Sequence, residues 1–98
     1  MSQTPDDIAE RAAGILERIE DAESEEQYRN LRDQLYGLGE AVAPILRREL
    51  ESWHYRRRMA AATNLGRLGD RTAVTPLVEC LSDPQAGVRE MALFSLGI

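Results

Sequence analysis

One run in the chain gathers residue types that could do chemistry together: Trp53-His54-Tyr55-Arg56-Arg57-Arg58. Aromatic rings beside three guanidinium groups could stack bases and hold phosphates. The competing reading is structural. A helix beginning here splays Arg56 and Arg57 apart, Trp53 can pack over the preceding turn, and most charge runs are solvated faces. Net charge favours the structural reading. The chain holds 12 basic and 17 acidic residues, a net of −5 at pH 7, and like charge opposes association with nucleic acid. Residues 1–40 hold eleven acids and four bases, a net of −7, whereas residues 41–98 hold six acids and eight bases, a net of +2. The expectation is therefore no nucleic-acid partner. All twelve bases are arginine, read as compositional bias rather than as twelve bidentate sites.

The other reactive residue types stand alone. His54 is the only histidine, and zinc or iron sites draw on several His or Cys ligands, so no metal and no cofactor is expected. The single Cys80 lies beside Leu77 and Leu81. It reads as a buried structural thiol, because no base accompanies it. One cysteine forms no internal disulfide, which fits a reducing, cytoplasmic setting. The acid pairs Asp6-Asp7 and Glu25-Glu26 open helices, where they complement the dipole. The glycines sit at helix ends rather than in a phosphate loop. No catalytic residue is expected. No apolar run approaches the roughly 20 residues of a membrane span, and the polar start Ser2-Gln3-Thr4 does not read as a secretory signal.

The elements that position these residues are helical. Thr4-Pro5-Asp6-Asp7 is a capping box with proline at the first helical position, followed by Ile8, Ala12, Ile15, Leu16 and Ile19 on one face. Ser24 with Gln27 opens a second helix carrying Tyr28, Leu31, Leu35 and Leu38, and Gly37 and Gly39 end it. A third runs from about Ala41 to Ser52, with Val42, Ile45, Leu46 and Leu50 inward. A fourth covers about Tyr55 to Leu68, rich in alanine, with Gly69 as its stop. Asp70 caps the fifth, about Arg71 to Leu81. Asp83-Pro84 marks a turn before the sixth, from about Gln85 onward. Pro44 and Pro76 fall inside the third and fifth helices and are expected to kink them. No segment alternates long enough to read as a strand.

The chain also repeats itself. Leu35-Tyr36-Gly37-Leu38-Gly39 returns as Leu65-Gly66-Arg67-Leu68-Gly69, and Ala41-Val42-Ala43-Pro44-Ile45-Leu46 returns as Ala73-Val74-Thr75-Pro76-Leu77-Val78. Arg58 returns as Arg89. A period near 31 with small drifting gaps is the mark of stacked supersecondary units. Units of this kind bury their apolar faces against their neighbours. The expected fold is all-α, an α-solenoid of about three antiparallel helical hairpins in one domain over residues 1–98. Residues 1–39 would form an N-terminal capping hairpin, 40–69 a repeat and 70–98 a further repeat.

The stretch from Ala73 to Gly97 closely resembles a HEAT repeat, most nearly the short HEAT-like type associated with phycobilisome lyases. The matching features are an outer helix with Pro76, the Asp83-Pro84 turn, then Val88-Arg89 and an Ala-rich inner helix ending Leu96-Gly97. The resemblance implies a ladder in which a turn Asp pairs with a helix Arg of a neighbouring repeat, on Arg58, Asp83 and Arg89. The preceding repeat departs from the pattern. Ser52 stands for the Asp and Trp53 for the Pro, so one complete rung is expected. Arg57 stands where Val88 stands in the next unit and is expected to snorkel its head outward.

What the resemblance implies about function is a non-catalytic protein-interaction scaffold using the concave face, lined by the second, fourth and sixth helices. The partner-facing residues would be Arg29, Asp33, Arg56, Met59, Thr63, Glu90 and Phe94. Of these, Phe94 suits a binding anchor, or packs on a further element. The alternative is a HEAT-like enzyme, bilin lyase-like or alkylpurine DNA glycosylase-like. A lyase needs a chromophore groove with a helper acid. A glycosylase needs a basic concave face with aromatic and acidic residues. Leu93, Phe94, Leu96 and Ile98 crowd the last helix, and no charged residue follows Glu90. The expectation is either a piece of a longer array or self-association through the fifth and sixth helices.

Overall fold

The computed structural model describes residues 4–98. Ser2 and Gln3, read above as part of a polar start, lie outside the described residues. Helix α1 spans Pro5–Glu20, with the Thr4 hydroxyl accepting from the Asp7 amide at 3.2 Å and the Asp7 carboxylate accepting from the Thr4 amide at 3.3 Å. Its buried residues, Ile8, Ala12, Leu16 and Ile19, fall at helical spacing along one stripe. Helix α2 spans Glu25–Tyr36 and is capped by the Ser24 hydroxyl at 3.1 Å from the Gln27 amide. It buries Tyr28, Leu31 and Leu35. Helix α3, Ala43–Glu49, follows a 3-10 turn at Glu40–Val42. Helix α4, Tyr55–Leu68, ends at Gly69, whose φ of 66° is the left-handed conformation that glycine adopts without a Cβ clash. Helix α5, Val74–Glu79, lies between 3-10 turns at Arg71–Ala73 and Cys80–Ser82, and α6 spans Ala86–Leu96.

The prolines act differently from the expectation. Pro44 is the second residue of α3 and Pro76 the third of α5. In the first helical turn a missing N–H removes no intrahelical bond. Each outer segment is a 3-10 turn followed by a short α-helix whose first turn holds the proline. The structural repeat is 31 throughout these segments. The 3-10 turns begin at Glu40 and Arg71, α3 and α5 at Ala43 and Val74, α4 and α6 at Tyr55 and Ala86. The two prolines sit one place apart in that register.

The fold is an all-α solenoid of three hairpins, α1–α2, α3–α4 and α5–α6. Helix α4 is the keystone and packs against α1, α2, α3 and α6. Its six consecutive residues Ala60 to Leu65 are all buried, which is possible only for a helix surrounded on most sides. Small side chains let the neighbours come close. A Cβ on Gly66 would stand 2.3 Å from the Ser95 hydroxyl and 2.8 Å from the Ser95 Cα. Ser95 in turn donates to the Ala62 carbonyl at 2.7 Å. The apolar core runs through all three hairpins, from Ile8 in α1 through Leu46 and Leu65 to Val88 and Ala92 in α6.

Candidate interaction surface

The Trp53–Arg58 run resolves into three arginines that hold the fold. His54 caps α4, its Nδ1 accepting from the Arg56 amide at 3.1 Å. Arg56 turns back to the end of α1 and donates to the carbonyls of Ala22 and Glu20, at 2.6 and 3.4 Å. A guanidinium at a helix C-terminus satisfies free carbonyls and opposes the negative end of the dipole. Arg57 does not snorkel outward. It lies between Glu20 of α1 and Glu49 of α3, with Nη1 3.0 Å from the Glu49 carboxylate, because two acids from neighbouring segments offer a better partner than water. Trp53 does not pack over its turn either. It is 80% exposed, edge-on to the His54 ring at 5.1 Å.

Arg58 and Asp83 are brought together across two hairpins. Arg58 Nε and Nη2 donate to the two Asp83 carboxylate oxygens at 2.8 and 3.1 Å, a bidentate fork. Its Nη1 donates to the carbonyls of Ser52 and Trp53. Arg89 repeats the second half of this pattern, donating to the carbonyls of Asp83 and Pro84 at 2.7 and 3.3 Å. Asp83 also accepts from the Gln85 amide at 2.9 Å. Burial pushes the Asp83 carboxyl up, but the Arg58 fork and the Gln85 amide outweigh it and hold the group below its ordinary value. A second ion pair, Arg47 with Asp70, ties α3 to the start of the last hairpin.

The expected partner-facing residues divide into two groups. Arg29, Asp33, Glu90 and Phe94 are exposed. Arg29 meets Glu25 loosely at 3.6 Å, and Asp33 accepts from Arg67 at 2.9 Å. Arg56 is held by α1 as described. Met59 is half-buried against Gly87, where a Cβ would come within 2.9 Å of its sulfur. Thr63 is a correction: it is buried, and its hydroxyl donates to the Met59 carbonyl at 2.9 Å.

The roles of two side chains, Asn64 and Arg67, escaped the sequence reading. Asn64 is fully buried; it donates to the Arg32 carbonyl at 2.9 Å and accepts from Arg67 at 3.2 Å, locking α2 to α4. Arg67 also lies 3.9 Å over the centre of the Tyr36 ring. Tyr28 is buried, and its hydroxyl oxygen has no hydrogen-bond partner. An Asn in the midst of an Ala-rich buried run was the one available signal for the first of these. Cys80 is buried, and burial pushes its thiol above the ordinary value, with Asp83 adding to the shift. No group of three His, Cys, Asp or Glu among the described residues could hold a metal ion. Among the described residues no helix is long and apolar enough to cross a membrane.

Three antiparallel hairpins, the second and third in a 31-residue register and joined by the Arg58–Asp83 pair, define a short α-solenoid. The chain belongs to the HEAT-repeat family, whose model of HEAT repeats matches residues 1–97. No curated protein and no solved structure matches the chain.

Proposed function

We propose that the chain is a non-catalytic protein-interaction module of the cytoplasm, of the short phycobilisome-lyase type within its family. It presents the exposed edge of α2, α4 and α6 to a partner and the open side of the last hairpin to a second copy. One observation supports this most: positions 31 apart reverse their burial. Ala43, Ala62 and Thr63 are buried, whereas their counterparts Val74, Leu93 and Phe94 are 49%, 40% and 74% exposed. Ala62 is covered by α6 through Ser95, and Arg47 reaches the last hairpin through Asp70. Position 62 and position 47 thus mark the stacking side of the second hairpin. Their counterparts Leu93 and Val78 mark the same side of the third. There the side is apolar and exposed, and contiguous apolar patches of this kind are interaction surfaces.

A second copy fits that side because the facing residues are apolar on both partners of a two-fold contact. The face of α1 away from the core carries Glu10, Arg11, Glu17 and Arg18, which disfavours head-to-tail stacking. Sedimentation over a wide concentration range tests the reading. The expected result is a mass that rises toward a dimer. Leu93→Arg with Val78→Arg should return it to a monomer that stays folded, since both sites are exposed, with a melting temperature that no longer rises with concentration. A strict monomer at high concentration overturns it.

A further inference from the structure

Helix α1 and the end of α2 enclose a groove of about 490 Å³ in the first hairpin. Its size falls within the roughly 300–1,000 Å³ of ligand-binding clefts. Ile15 and Leu38, half-buried and packed against the core, form the floor. Arg11 and Arg18 flank it along α1, with Glu10 and Gln34 at the rim. The two arginines stand two helical turns apart, about 10 Å along the axis. Both are exposed, and neither guanidinium holds an ion pair or hydrogen bond among the described residues. Arg47, Arg57, Arg58 and Arg67 are by contrast each paired with an acid. The lining thus sets two free cations against one acid, Glu10.

Gly14 is the independent observation. It lies within α1, between the two arginines, and lines the groove. Glycine inside a helix is destabilising relative to alanine. Other glycines of the chain answer to the fold. Gly66 makes room for Ser95, Gly87 makes room for Met59, and Gly69 ends α4 in the left-handed conformation. Gly14 answers to none of these needs. Its φ is not positive, and a Cβ built on it meets nothing within 4 Å. The missing side chain leaves open space in the groove that no contact within the chain uses.

We infer that this groove takes an acidic amphipathic helix of a partner polypeptide, seated by one apolar side chain in the space beside Gly14. Helices dock in grooves through apolar anchors on one face. Arg11 lies three residues before Gly14 and Arg18 four after. Acids one turn to either side of the anchor therefore meet both guanidinium groups in charge-assisted pairs. A basic helix would meet two like charges. A single-headed amphiphile such as a fatty acid would satisfy one arginine and leave the other. The inference rests on the interaction-module reading and goes beyond the self-association of the last hairpin, because it places a partner of different chemistry on the first.

The test uses the whole chain at low salt and a capped alanine-based helical peptide with one leucine, flanked by glutamate three residues before and four after. The same peptide with lysine for glutamate, and octanoate, are the comparison probes. Amide resonances of Ala13, Gly14, Ile15 and Leu38 should shift saturably with the acidic peptide alone. Arg11→Glu with Arg18→Glu should weaken binding about tenfold or more, as loss of charge-assisted pairs does. Gly14→Gln should weaken it about as much by filling the groove. Its melting temperature should stay unchanged or rise, because glutamine suits a helix better than glycine. The proposal is overturned by an absent or unsaturable shift, by an equal response to the lysine peptide or to octanoate, by undiminished binding in either variant, or by a lower melting temperature in Gly14→Gln. Sedimentation separates the two readings. A dimer that ignores the acidic peptide overturns the groove alone, and a monomer that binds it overturns the self-association alone.

Discussion

The two junctions of the solenoid are built by opposite means. Between the first and second hairpins, long polar side chains reach across beside the shared apolar core. Arg56 reaches the end of α1, Arg57 sits between Glu20 and Glu49, and Asn64 and Arg67 tie α4 to α2. Between the second and third hairpins Gly66 lies almost backbone to backbone with Ser95, and Gly87 lies against the Met59 side chain. Only two ion pairs, Arg47–Asp70 and Arg58–Asp83, fasten that junction at its edge. Long side chains bridge a gap and tolerate small displacements. Close-packed small residues tolerate none, because interiors at crystal-like density leave no room for an added methyl group. The first junction therefore depends on each polar partner being present, and the second on nothing being added.

The largest expected effect breaks the second junction. Gly66→Val places branched carbon where a single Cβ already meets the Ser95 Cα at 2.8 Å. Overpacking of this order costs about 3 kcal/mol, and for a domain of this size each kcal/mol lowers the melting temperature by roughly 4–8 °C. Thermal melts measure it, and hydrogen exchange should show α6 loosening first. Gly14→Ala is the paired control. Gly14 lies within α1 with nothing within 4 Å of the added Cβ, so alanine should stabilise by about 0.5–1 kcal/mol through helix propensity alone. The same class of change thus carries opposite signs at two glycines, and equal signs would remove the distinction drawn between the regions.

A smaller effect addresses the first junction. Asn64→Ala deletes the donor to the Arg32 carbonyl and one acceptor for Arg67, and it leaves a space where a fully buried side chain stood. The loss should be about 2 kcal/mol, within the range for buried hydrogen-bonded groups. Urea unfolding measures it. Here α1 and α2 should gain exchange while α6 keeps its protection, the reverse of the pattern for Gly66→Val.

Most of this architecture was legible in the sequence for a physical reason. Caps, stops and apolar stripes are local, so Thr4, Ser24, Asp70 and Gly69 mark their helices without any knowledge of the fold. The repeat added the register, and the resemblance to HEAT repeats implied the meeting of Arg58 and Asp83. The surface was less legible. Whether Thr63 faces solvent depends on how the neighbouring helices pack around α4, which the residues near Thr63 in sequence do not decide. The same limit applies to Arg56 and Arg57. A run of three arginines looks like one basic patch, yet their partners, Ala22, Glu20, Glu49 and Asp83, are scattered from position 20 to position 83. Side-chain direction at such sites is a tertiary property. The 3-10 turns ahead of α3 and α5 were hidden for a related reason, because a proline is equally at home in a kink and in a first helical turn.

The finest test distinguishes the junctions by acid. Three carboxyls sit below their ordinary value: Asp33 at the first junction, Asp70 and Asp83 at the second. In each, burial works to raise the pKa, and hydrogen bonds from arginine with those from Thr72 or Gln85 where present outweigh it. A carboxyl whose folded pKa is depressed binds fewer protons folded than unfolded. Its stabilisation is complete above the unfolded value of about 3.9 and fades as pH falls through the folded value. The two junctions differ in how much depends on this. The Asp33 side chain is 51% exposed, so water screens its pairing and its loss matters little. The Asp83 side chain is 9% exposed and carries the Arg58 fork, a charged hydrogen-bonded pair that contributes about 1–2 kcal/mol. Lowering the pH from 5 toward 3 should therefore loosen α6 before α1 and α2. Arg58→Met should lower stability at pH 7 and flatten the acid limb, because the proton then meets an Asp83 with less to lose. An acid limb identical in the parent and the variant, or first loosening of α1 and α2, would place the acid-sensitive fastening at the first junction instead.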